Sequence, residues 1–401
     1  MFRQAVHLFA LMAAHITGDL FGGMLGAILP VLCVHFQLSL SGGLLHITFF
    51  IIVTNLFQVI AGHLPFNSDK PWIISAGLVA AALLPLIGLL PAGAPNLLIL
   101  GGLLFLSGLG IALIHPDGLR GVHRLDKIPS SVSTACFMVS GFVGFSAGAW
   151  LSGAIVDRHG LSGLVWLTPL CLIPAVGLPL LGVRLAVEPV NSTPAPDNNI
   201  GVPRLPFGHL FVMATLVATA ATLLASLIPT FLNHHGHSLS FGGRAVFLFG
   251  IGGAVGSLFW GFVAHHKGYW NTLRLSLSLG PPFLIAFLLM AKHASAVWIL
   301  VAAGFTLYTS YPLLVTLSRH ASSQFNLRQR MGLIVGGAWG IAGLLLISLG
   351  PIGERFGLPV LLHLAWLSYF LALIYGLVTL RKSGPESPTK PVKPTLHHNK
   401  S

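Results

Sequence analysis

The chain has 401 residues, of which 54% are hydrophobic and only 7% charged, with a mean hydropathy of +0.86. Soluble domains carry about 25% charged residues, so this composition excludes a water-soluble protein and indicates a polytopic membrane protein. The three cysteines, Cys33, Cys136 and Cys171, are isolated within apolar runs, which excludes a secreted disulfide scaffold. The net charge of +12 lies in short loops between apolar segments, and no nucleic-acid module is visible.

Twelve apolar segments are long enough to be membrane helices, which need about 20 residues each. The predicted spans are 7–34, 44–64, 72–91, 96–115, 130–154, 163–183, 207–232, 243–265, 271–291, 295–317, 331–350 and 358–380. The first span is too long for a signal-peptide core and lacks a convincing cleavage site, so we expect it to be a retained helix.

The distribution of Lys and Arg predicts the orientation. With a cytoplasmic N-terminus, 17 of the 21 basic residues lie inside, and only Arg158, Arg244, Lys292 and Arg355 lie outside. The positive-inside rule therefore places both termini in the cytoplasm. We expect a multi-pass protein of the inner (plasma) membrane that contacts membrane lipids.

The chain divides into two halves. Residues 184–206 hold five prolines among polar residues and read as a cytoplasmic linker between two six-helix bundles, 1–183 and 207–381. The tail, 382–401, is rich in Pro, Lys and Ser and is expected to be disordered.

A short duplication relates these halves. The sequence Gly-Ala-Ile-Val-Asp-Arg-His-Gly-Leu at 153–161 returns as Gly-Pro-Ile-Gly-Glu-Arg-Phe-Gly-Leu at 350–358, an offset of 197, and each copy is placed after the fifth helix of its half. Two parallel six-helix repeats resemble the major facilitator superfamily, whose substrate cavity lies between the halves near the bilayer midplane. The predicted fold is thus an all-α integral membrane protein with twelve transmembrane helices.

One carboxylate stands out as a candidate for proton coupling. Of nine Asp and Glu residues, Asp19 alone lies well inside a span, and His15 precedes it by four residues on the same helical face. A carboxylate at that depth costs roughly 2.5 to 3.5 kcal/mol, so it normally faces a cavity or a partner. The pair can share a proton, as coupled transport requires, or can form a hydrogen bond that only fixes helix 1.

Further polar side chains within spans are candidate substrate contacts, with interhelical hydrogen bonding as the alternative. They are His46, Asn55 and Gln58 on helix 2 and Tyr308 and Tyr311 on helix 10. Pro312 follows the two tyrosines and should kink or loosen helix 10.

No cofactor or metal site is predicted. The histidine clusters 234–237 and 265–266 are assigned to loops and lack companion Cys or carboxylate ligands. No nucleophile and base pair or phosphate-binding loop is found, so we expect a protein that is not an enzyme.

Three motifs resemble the fosmidomycin-resistance-like exporters, a branch of the superfamily. The first is His15 and Asp19 ahead of Leu29-Pro30. The second is Gly108-Leu-Gly110 followed by His115-Pro116-Asp117 and Arg120, and the third is the helix 5 segment 137–144. The similarity runs from about residue 14 through helix 6 and is looser in the second half.

This resemblance implies a secondary transporter, typically driven by the proton gradient, that exports drugs or small metabolites, and a monomer is the default for this architecture. It places His15, Asp19, Gln58, His115, Asp117 and Arg120 at the family's polar positions. From the residues themselves, we expect Pro116 to end helix 4, and His115, Asp117 and Arg120 to act in gating. A gate ion pair between Asp117 and Arg120 and a capping role for Asp117 are the two alternatives.

The cytoplasmic loops depart from the superfamily pattern. Phe66 stands where the loop between helices 2 and 3 usually has an Asp, and the loop after helix 8 has His265 instead; Asp69 could replace the first. Substrate, direction and coupling ion stay open, as do uptake of a nutrient or metal-chelating metabolite and a non-transporting receptor.

Overall fold

The computed structural model describes residues 1–63, 68–93, 96–128, 130–187, 205–325 and 327–380. Its described part contains twelve helices that are long and apolar enough to cross a membrane, as the sequence predicts. The first six are α1 Phe2–His35, α2 Leu40–Ala61, α3 Trp72–Leu89, α4 Leu97–His123, α5 Val132–His159 and α6 Leu161–Leu180. The second six are α7 Phe207–His234, α8 Leu239–Lys267, α9 Tyr269–Met290, α10 Ala294–Arg319, α11 Gln329–Phe356 and α12 Leu358–Thr379.

Several spans depart from regular α-helix. In α3 the helix Trp72–Ala81 gives way to a 3₁₀ helix, Leu84–Leu89, and in α6 a 3₁₀ helix, Leu161–Leu167, comes first. Both α10 and α11 contain a π-helical turn, at Gly304–Tyr308 and Leu333–Gly337. Pro312 lacks the N–H that would bond the carbonyl of residue 308, and the π turn of α10 ends at that residue.

Helix α4 does not end at Pro116 and instead continues to His123, so that prediction is wrong. Proline is tolerated inside membrane helices because neighbouring groups satisfy the main chain that it disturbs. Asp117 and Arg120 consequently lie within the helix.

The duplicated segments also lie differently from the prediction, because they form the last turns of α5 and α11 instead of following them. The two helices end at His159 and Phe356, and Gly160 and Gly357 then adopt positive φ values of 66° and 87°. The sequence prediction ended both helices early because local hydropathy falls at Asp157 and Glu354. The structure gives these carboxylates hydrogen-bond partners instead.

Glycines allow the helices of the first half to pack closely. A Cβ atom on Gly148 of α5 would lie 1.8 Å from the carbonyl oxygen of Leu20 in α1, and one on Gly144 would lie 2.2 Å from that of Ile16. Small residues permit this approach of backbones where lipid supplies no hydrophobic drive. The α1–α5 contact in turn fixes the side of α1 that carries His15 and Asp19.

Among the described residues, the two halves meet along the helix pairs α1–α7, α5–α8 and α2–α11, with further contacts between α1 and α8 and between α5 and α10. Gly26 of α1 packs on Ala225 of α7, and Gly243 of α8 packs on Ala149 of α5. Between α2 and α11, the hydroxyl of Thr48 donates to the carbonyl of Gly343 over 2.9 Å. Of the expected linker, residues 188–204 lie outside the described residues, as do the tail 382–401 and Phe66.

Candidate functional site

Three ionisable side chains meet between α1 and α4. Asp19 places one carboxylate oxygen, Oδ2, 3.2 Å from His15 Nε2 and the other, Oδ1, 3.1 Å from His115 Nε2. The two imidazole rings are in edge contact, with centroids 4.9 Å apart. We call His15, Asp19 and His115 the triad.

The helices bring the triad together in two ways. His15 and Asp19 are four residues apart, so one turn of α1 aligns them, whereas His115 arrives from α4. A glycine of α5 makes the space: a Cβ on Gly141 would lie 2.6 Å from Asp19 Oδ2 and 2.7 Å from His15 Nε2. The ring of Phe137 stacks on His15 with centroids 4.1 Å apart.

Hydrogen bonds on the other ring nitrogens define how the histidines carry their protons. His15 Nδ1 lies 2.7 Å from the carbonyl oxygen of Phe137, and His115 Nδ1 lies 2.9 Å from that of Ile111. A carbonyl oxygen only accepts, so each Nδ1 carries a hydrogen. Both Nε2 atoms therefore present to Asp19 either a lone pair or an additional proton.

This arrangement makes the triad a receptor for cations. With a proton in each Nε2···O contact, both are charge-assisted hydrogen bonds; with no proton there, lone pairs face the carboxylate and the contacts are repulsive. The side chain of His15 is 3% exposed, whereas Asp19 and His115 are 20% and 19% exposed. The carboxylate and one imidazole are thus within reach of water.

The triad could also hold a metal ion. Its three potential ligand atoms lie within 4.8 Å of one another, and no other three His, Cys, Asp or Glu side chains of the described residues come together in this way. The Nδ1 hydrogen bonds to carbonyls are those that usually orient metal-ligating histidines. The sequence analysis predicted no metal site, because it examined histidine clusters near in sequence and did not pair α1 with α4.

Tyr308 brings the second half of the chain to the helix that carries Gly141. It lies at the end of the π turn in α10 and is half-buried. Its ring contacts Phe142 of α5 and Phe249 of α8, with centroids 4.9 and 5.4 Å away. Gly253 makes room for it, since a Cβ there would lie 2.5 Å from the tyrosine ring.

The other sequence candidates for substrate contact lie elsewhere. Tyr311 is buried and its hydroxyl donates to the carbonyl of Ile334. His46 and Asn55 are half-buried on α2, and each has a ring or amide nitrogen 2.8 Å from the carbonyl of its own preceding turn, at Gly42 and Ile51. Gln58 is half-buried one turn further along α2.

Asp117 and Arg120 pair within α4, with 2.8 Å between Oδ1 and Nη1. The guanidinium also donates to the carbonyls of Ser68 and Ala186, at 2.8 and 3.0 Å. Ser68 belongs to the first half and Ala186 to the start of the linker, and Asp69 of the first half pairs with Arg184 of the linker at 3.0 Å. In this structure the two ion pairs therefore fasten the start of the linker to the first half.

The remaining histidine clusters do not converge on one point. His265 and His266, predicted to lie in a loop, occupy the last turn of α8 and are exposed. His235 Nδ1 lies 2.9 Å from the carbonyl of Phe231, and His237 Nε2 lies 3.3 Å from that of Ala291.

The Major Facilitator Superfamily profile matches residues 11–345, which is most of the chain. The protein belongs to this superfamily. It is 23% identical to the fosmidomycin resistance protein of Escherichia coli, over 92% of this chain and 91% of that one. It is also 23% identical to the uncharacterized MFS-type transporter YfnC of Bacillus subtilis, over 88% of each.

Solved structures share the fold at lower sequence identity. A bacterial homologue of the human lysosomal transporter Spinster, in an inward-facing and unoccupied conformation, superposes with a TM-score of 0.65 at 17% identity, covering 96% of this chain and 99% of that one. A peptide transporter POT bound to alafosfalin gives 0.67 at 15% identity, with 94% of each chain covered. The predicted superfamily and its resemblance to fosmidomycin-resistance proteins are thereby confirmed.

Residues that sequence reasoning missed are those that complete the triad from other helices. His115 was assigned to gating because it precedes Pro116, and nothing in α4 alone points to Asp19. Gly141 and Phe137 were noted only as parts of a motif. The available signal was that His115, like His15, is a histidine within an otherwise apolar span.

Proposed function

We propose that this protein is a proton-coupled secondary transporter that exports a small molecule across the inner membrane by alternating access. The observation that carries the proposal is the contact of both Asp19 oxygens with a histidine Nε2. This arrangement offers places for two exchangeable protons on a chain whose family is transporters. Both termini are placed in the cytoplasm by the bias of Lys and Arg.

The protonation states of the triad supply a mechanism for coupling. With two shared protons, two imidazolium cations flank one carboxylate, and α1 and α4 are drawn together. Loss of one proton leaves a neutral triad with a single hydrogen bond, and loss of both leaves an uncompensated carboxylate in a membrane protein interior, which is costly. Proton release therefore weakens the α1–α4 contact, and a ligand that favours the separated arrangement exchanges with protons.

Tyr308 connects this chemistry to the opposite half. Its side chain is held between Phe142 of the first half and Phe249 of the second, and Phe142 follows Gly141, which faces the triad. Since α10 departs from α-helical geometry at this residue, and π turns frequently occur at functional sites, Tyr308 is the residue through which the second half senses the charge of the triad.

The experiment is proton release by the purified protein in weakly buffered detergent when a ligand is added, for wild type and Asp19→Asn. Fosmidomycin is the first probe, because one relative is a fosmidomycin resistance protein. We expect a proton signal in wild type that is absent from the variant. Ligand binding with no proton signal in either protein would refute proton coupling, and zinc binding that requires the triad would point to a metal ion instead.

Direction is tested separately in proteoliposomes with an imposed pH gradient. Export by proton exchange predicts that substrate accumulates in the compartment from which protons leave. Accumulation with the proton flow would instead establish the alternative, uptake of a small nutrient or metal-chelating metabolite. Binding without flux in either direction would indicate a receptor on this fold.

A further inference from the structure

A carboxylate of the first half caps a helix of the second half on the side opposite the termini. Asp157, in the last turn of α5, accepts hydrogen bonds from the main-chain N–H groups of Leu239 and Ser240. The distances are 3.2 Å to Oδ1 and 2.6 Å to Oδ2. These N–H groups open α8, so the contact joins the two halves.

The reverse contact is made by a carboxylate of the second half. Glu354, in the last turn of α11, accepts a hydrogen bond of 2.8 Å from the main-chain N–H of Ser41 at the start of α2. Each half thus supplies one acid and one helix N-terminus. The two contacts are related by the approximate two-fold repetition of the chain.

The sequence duplicates both components of this arrangement. Gly153 and Asp157 correspond to Gly350 and Glu354, each pair four residues apart and each acid followed by Arg. The N-termini that they cap share the tripeptide Ser-Leu-Ser, at 39–41 and 238–240. Each half thus contains one such acid and one such helix N-terminus, and each acid contacts the helix of the other half.

Helix N-termini explain why the receiving positions attract carboxylates. The first N–H groups of a helix lack partners within it and carry partial positive charge. The first serine of each tripeptide accepts a hydrogen bond from one of these N–H groups. Ser39 Oγ accepts from Gly42 N at 3.2 Å, and Ser238 Oγ accepts from Phe241 N at 3.1 Å. The carboxylate from the opposite half accepts from the N–H groups that precede Gly42 and Phe241 in the chain.

The glycines one turn before each acid set the distance of approach. A Cβ on Gly153 would lie 2.6 Å from the carbonyl oxygen of Leu239, and one on Gly350 would lie 2.9 Å from the hydroxyl oxygen of Ser41. The main chains of the halves consequently touch where the hydrogen bonds form. Separation of the halves on this side breaks both sets of contacts together.

We propose that Asp157 and Glu354 form a reciprocal clamp that closes the side of the transporter opposite its termini. Opening this side to the substrate cavity requires both carboxylates to exchange a helix N-terminus for water. The clamp is independent of substrate and coupling ion, because neither acid contacts the triad. It therefore stands even if the proton-coupling proposal fails.

The first test measures how often this side is open. In the full chain, with its three cysteines replaced by alanine, S162C and S295C carry spin labels at exposed positions on the two halves, and electron resonance gives their distance distribution. We expect the D157A or E354A variant to raise the ratio of long to short distances by about five- to tenfold. The effects should multiply in the double variant, because the two sites are separate.

Matched variants separate charge from hydrogen bonding and from non-specific damage. D157N and E354Q retain an acceptor oxygen without its charge and should give intermediate ratios. D126N removes the same charge at a contact confined to the first half, where Gln4 donates to Asp126, and should change nothing. An unchanged distribution in the D157A/E354A protein, eluting as a single folded species, would overturn the clamp.

A second measurement asks whether the Glu354 contact also holds the Asp157 position closed. In the otherwise cysteine-free chain, D157C and S240C are oxidised with copper phenanthroline, and the cross-linked fraction is followed by mass spectrometry. Because D157C removes the first carboxylate, Glu354 is the remaining acid of the clamp, and we expect E354A to slow cross-linking about fivefold or more. A cross-linking rate indifferent to E354A would show two local caps and overturn the reciprocal clamp.

Discussion

Tyr311 donates its hydroxyl hydrogen to the main-chain carbonyl of Ile334 over 2.5 Å and so joins α10 to α11. Ile334 lies in the π turn of α11, and Tyr311 follows the π turn of α10. A π turn changes the main-chain hydrogen-bond pattern, and the tyrosine supplies a donor to a carbonyl within it. The irregular segments of two neighbouring helices are therefore held in a fixed relationship.

Replacing Tyr311 by phenylalanine should destabilise the protein by about 1 to 3 kcal/mol, because a buried carbonyl loses its donor while the ring is retained. Thermal unfolding in detergent, followed by tryptophan fluorescence, measures this loss. Tyr269→Phe is the matched control, since that residue is half-buried at the start of α9. Equal melting temperatures for the two variants would contradict the assignment.

Gly141→Ala should impair transport while preserving the fold. The added methyl group would meet the flexible side chains of Asp19 and His15, which can shift away only by leaving the triad geometry. By contrast, Gly148→Ala would meet the main chain of Leu20 and should prevent folding, whereas Gly101→Ala would meet nothing within 4 Å. The measurements are folded yield and ligand-driven proton release.

We expect Gly141→Ala to give a normal yield with proton release reduced about tenfold, within the usual range of coupling energies. Gly101→Ala should match wild type in both measurements. Full proton release from the Gly141 variant would mean that the triad tolerates displacement, and the tight geometry would then be irrelevant to coupling.

Hydropathy alone predicted the helix count, because each span needs only a long apolar run and a polar break. It failed where long-range contacts compensate for a polar residue. Helices α5 and α11 continue through Asp157 and Glu354, since main-chain N–H groups from the opposite half donate hydrogen bonds to those carboxylates. Helix α4 passes Pro116, which membrane helices tolerate. Hydrogen-bond partners in the opposite half cannot be read from a local window.

The site was predictable only in part for the same reason. The spacing of His15 and Asp19 is a property of one helix and follows from the sequence, and the structure brings the two together. The contact of His115 with Asp19 depends on how α4 packs against α1, which no motif specifies. The π turns of α10 and α11 likewise depend on the packing between helices, although Pro312 signals the first.

His115→Gln and His46→Gln form a matched pair that isolates proton binding. In both histidines the ring Nδ1 lies close to the carbonyl four residues earlier, at 2.9 and 2.8 Å, but only His115 Nε2 reaches a carboxylate. Glutamine can still donate a hydrogen bond to Asp19 but cannot carry an additional proton. We expect ligand-driven proton release to fall about tenfold for His115→Gln and to stay unchanged for His46→Gln.

This comparison is made in proteoliposomes with equal amounts of folded protein. Equal loss in both variants would show a general sensitivity of histidines in the spans, and equal activity would remove His115 from the coupling machinery. Counterflow of labelled ligand without a proton gradient should survive in His115→Gln, because exchange needs no net proton movement.

The loop after α4 carries an acid that responds to pH outside the membrane spans. Gln4 donates a hydrogen bond to Asp126 and accepts one from the main chain of Lys127 at 2.7 Å, which docks the start of α1. The bond from Gln4 lowers the pKa of Asp126 below its usual range. Because the folded pKa is depressed, the stabilisation is present above about pH 4 and is lost as the pH falls through the folded value.

Hydrogen exchange of residues 2–8 across pH 2 to 6 tests this docking, after correction for the intrinsic pH dependence of exchange. We expect protection of this segment to decline at the acidic end in wild type. In Gln4→Ala, protection should be low throughout and independent of the ionisation of Asp126. A wild-type profile with no acid-induced decline would contradict the linkage.

Arg120 should prove more important for stability than for the transport cycle. Its guanidinium satisfies two main-chain carbonyls besides the Asp117 carboxylate; Ser68 and Asp117 lie in the first half, and Ala186 lies at the start of the linker. Arg120→Gln should therefore cost about 2 to 3 kcal/mol of stability, and Asp117→Asn less, since only one charge-assisted bond is weakened there. Thermal unfolding of both variants measures which one loses more stability. Ligand flux per folded molecule should remain near wild type in Asp117→Asn.

A gate ion pair between Asp117 and Arg120 predicts the opposite pattern. Asp117→Asn would then leave the melting temperature unchanged and alter flux, because a gate acts between conformations instead of within one rigid half.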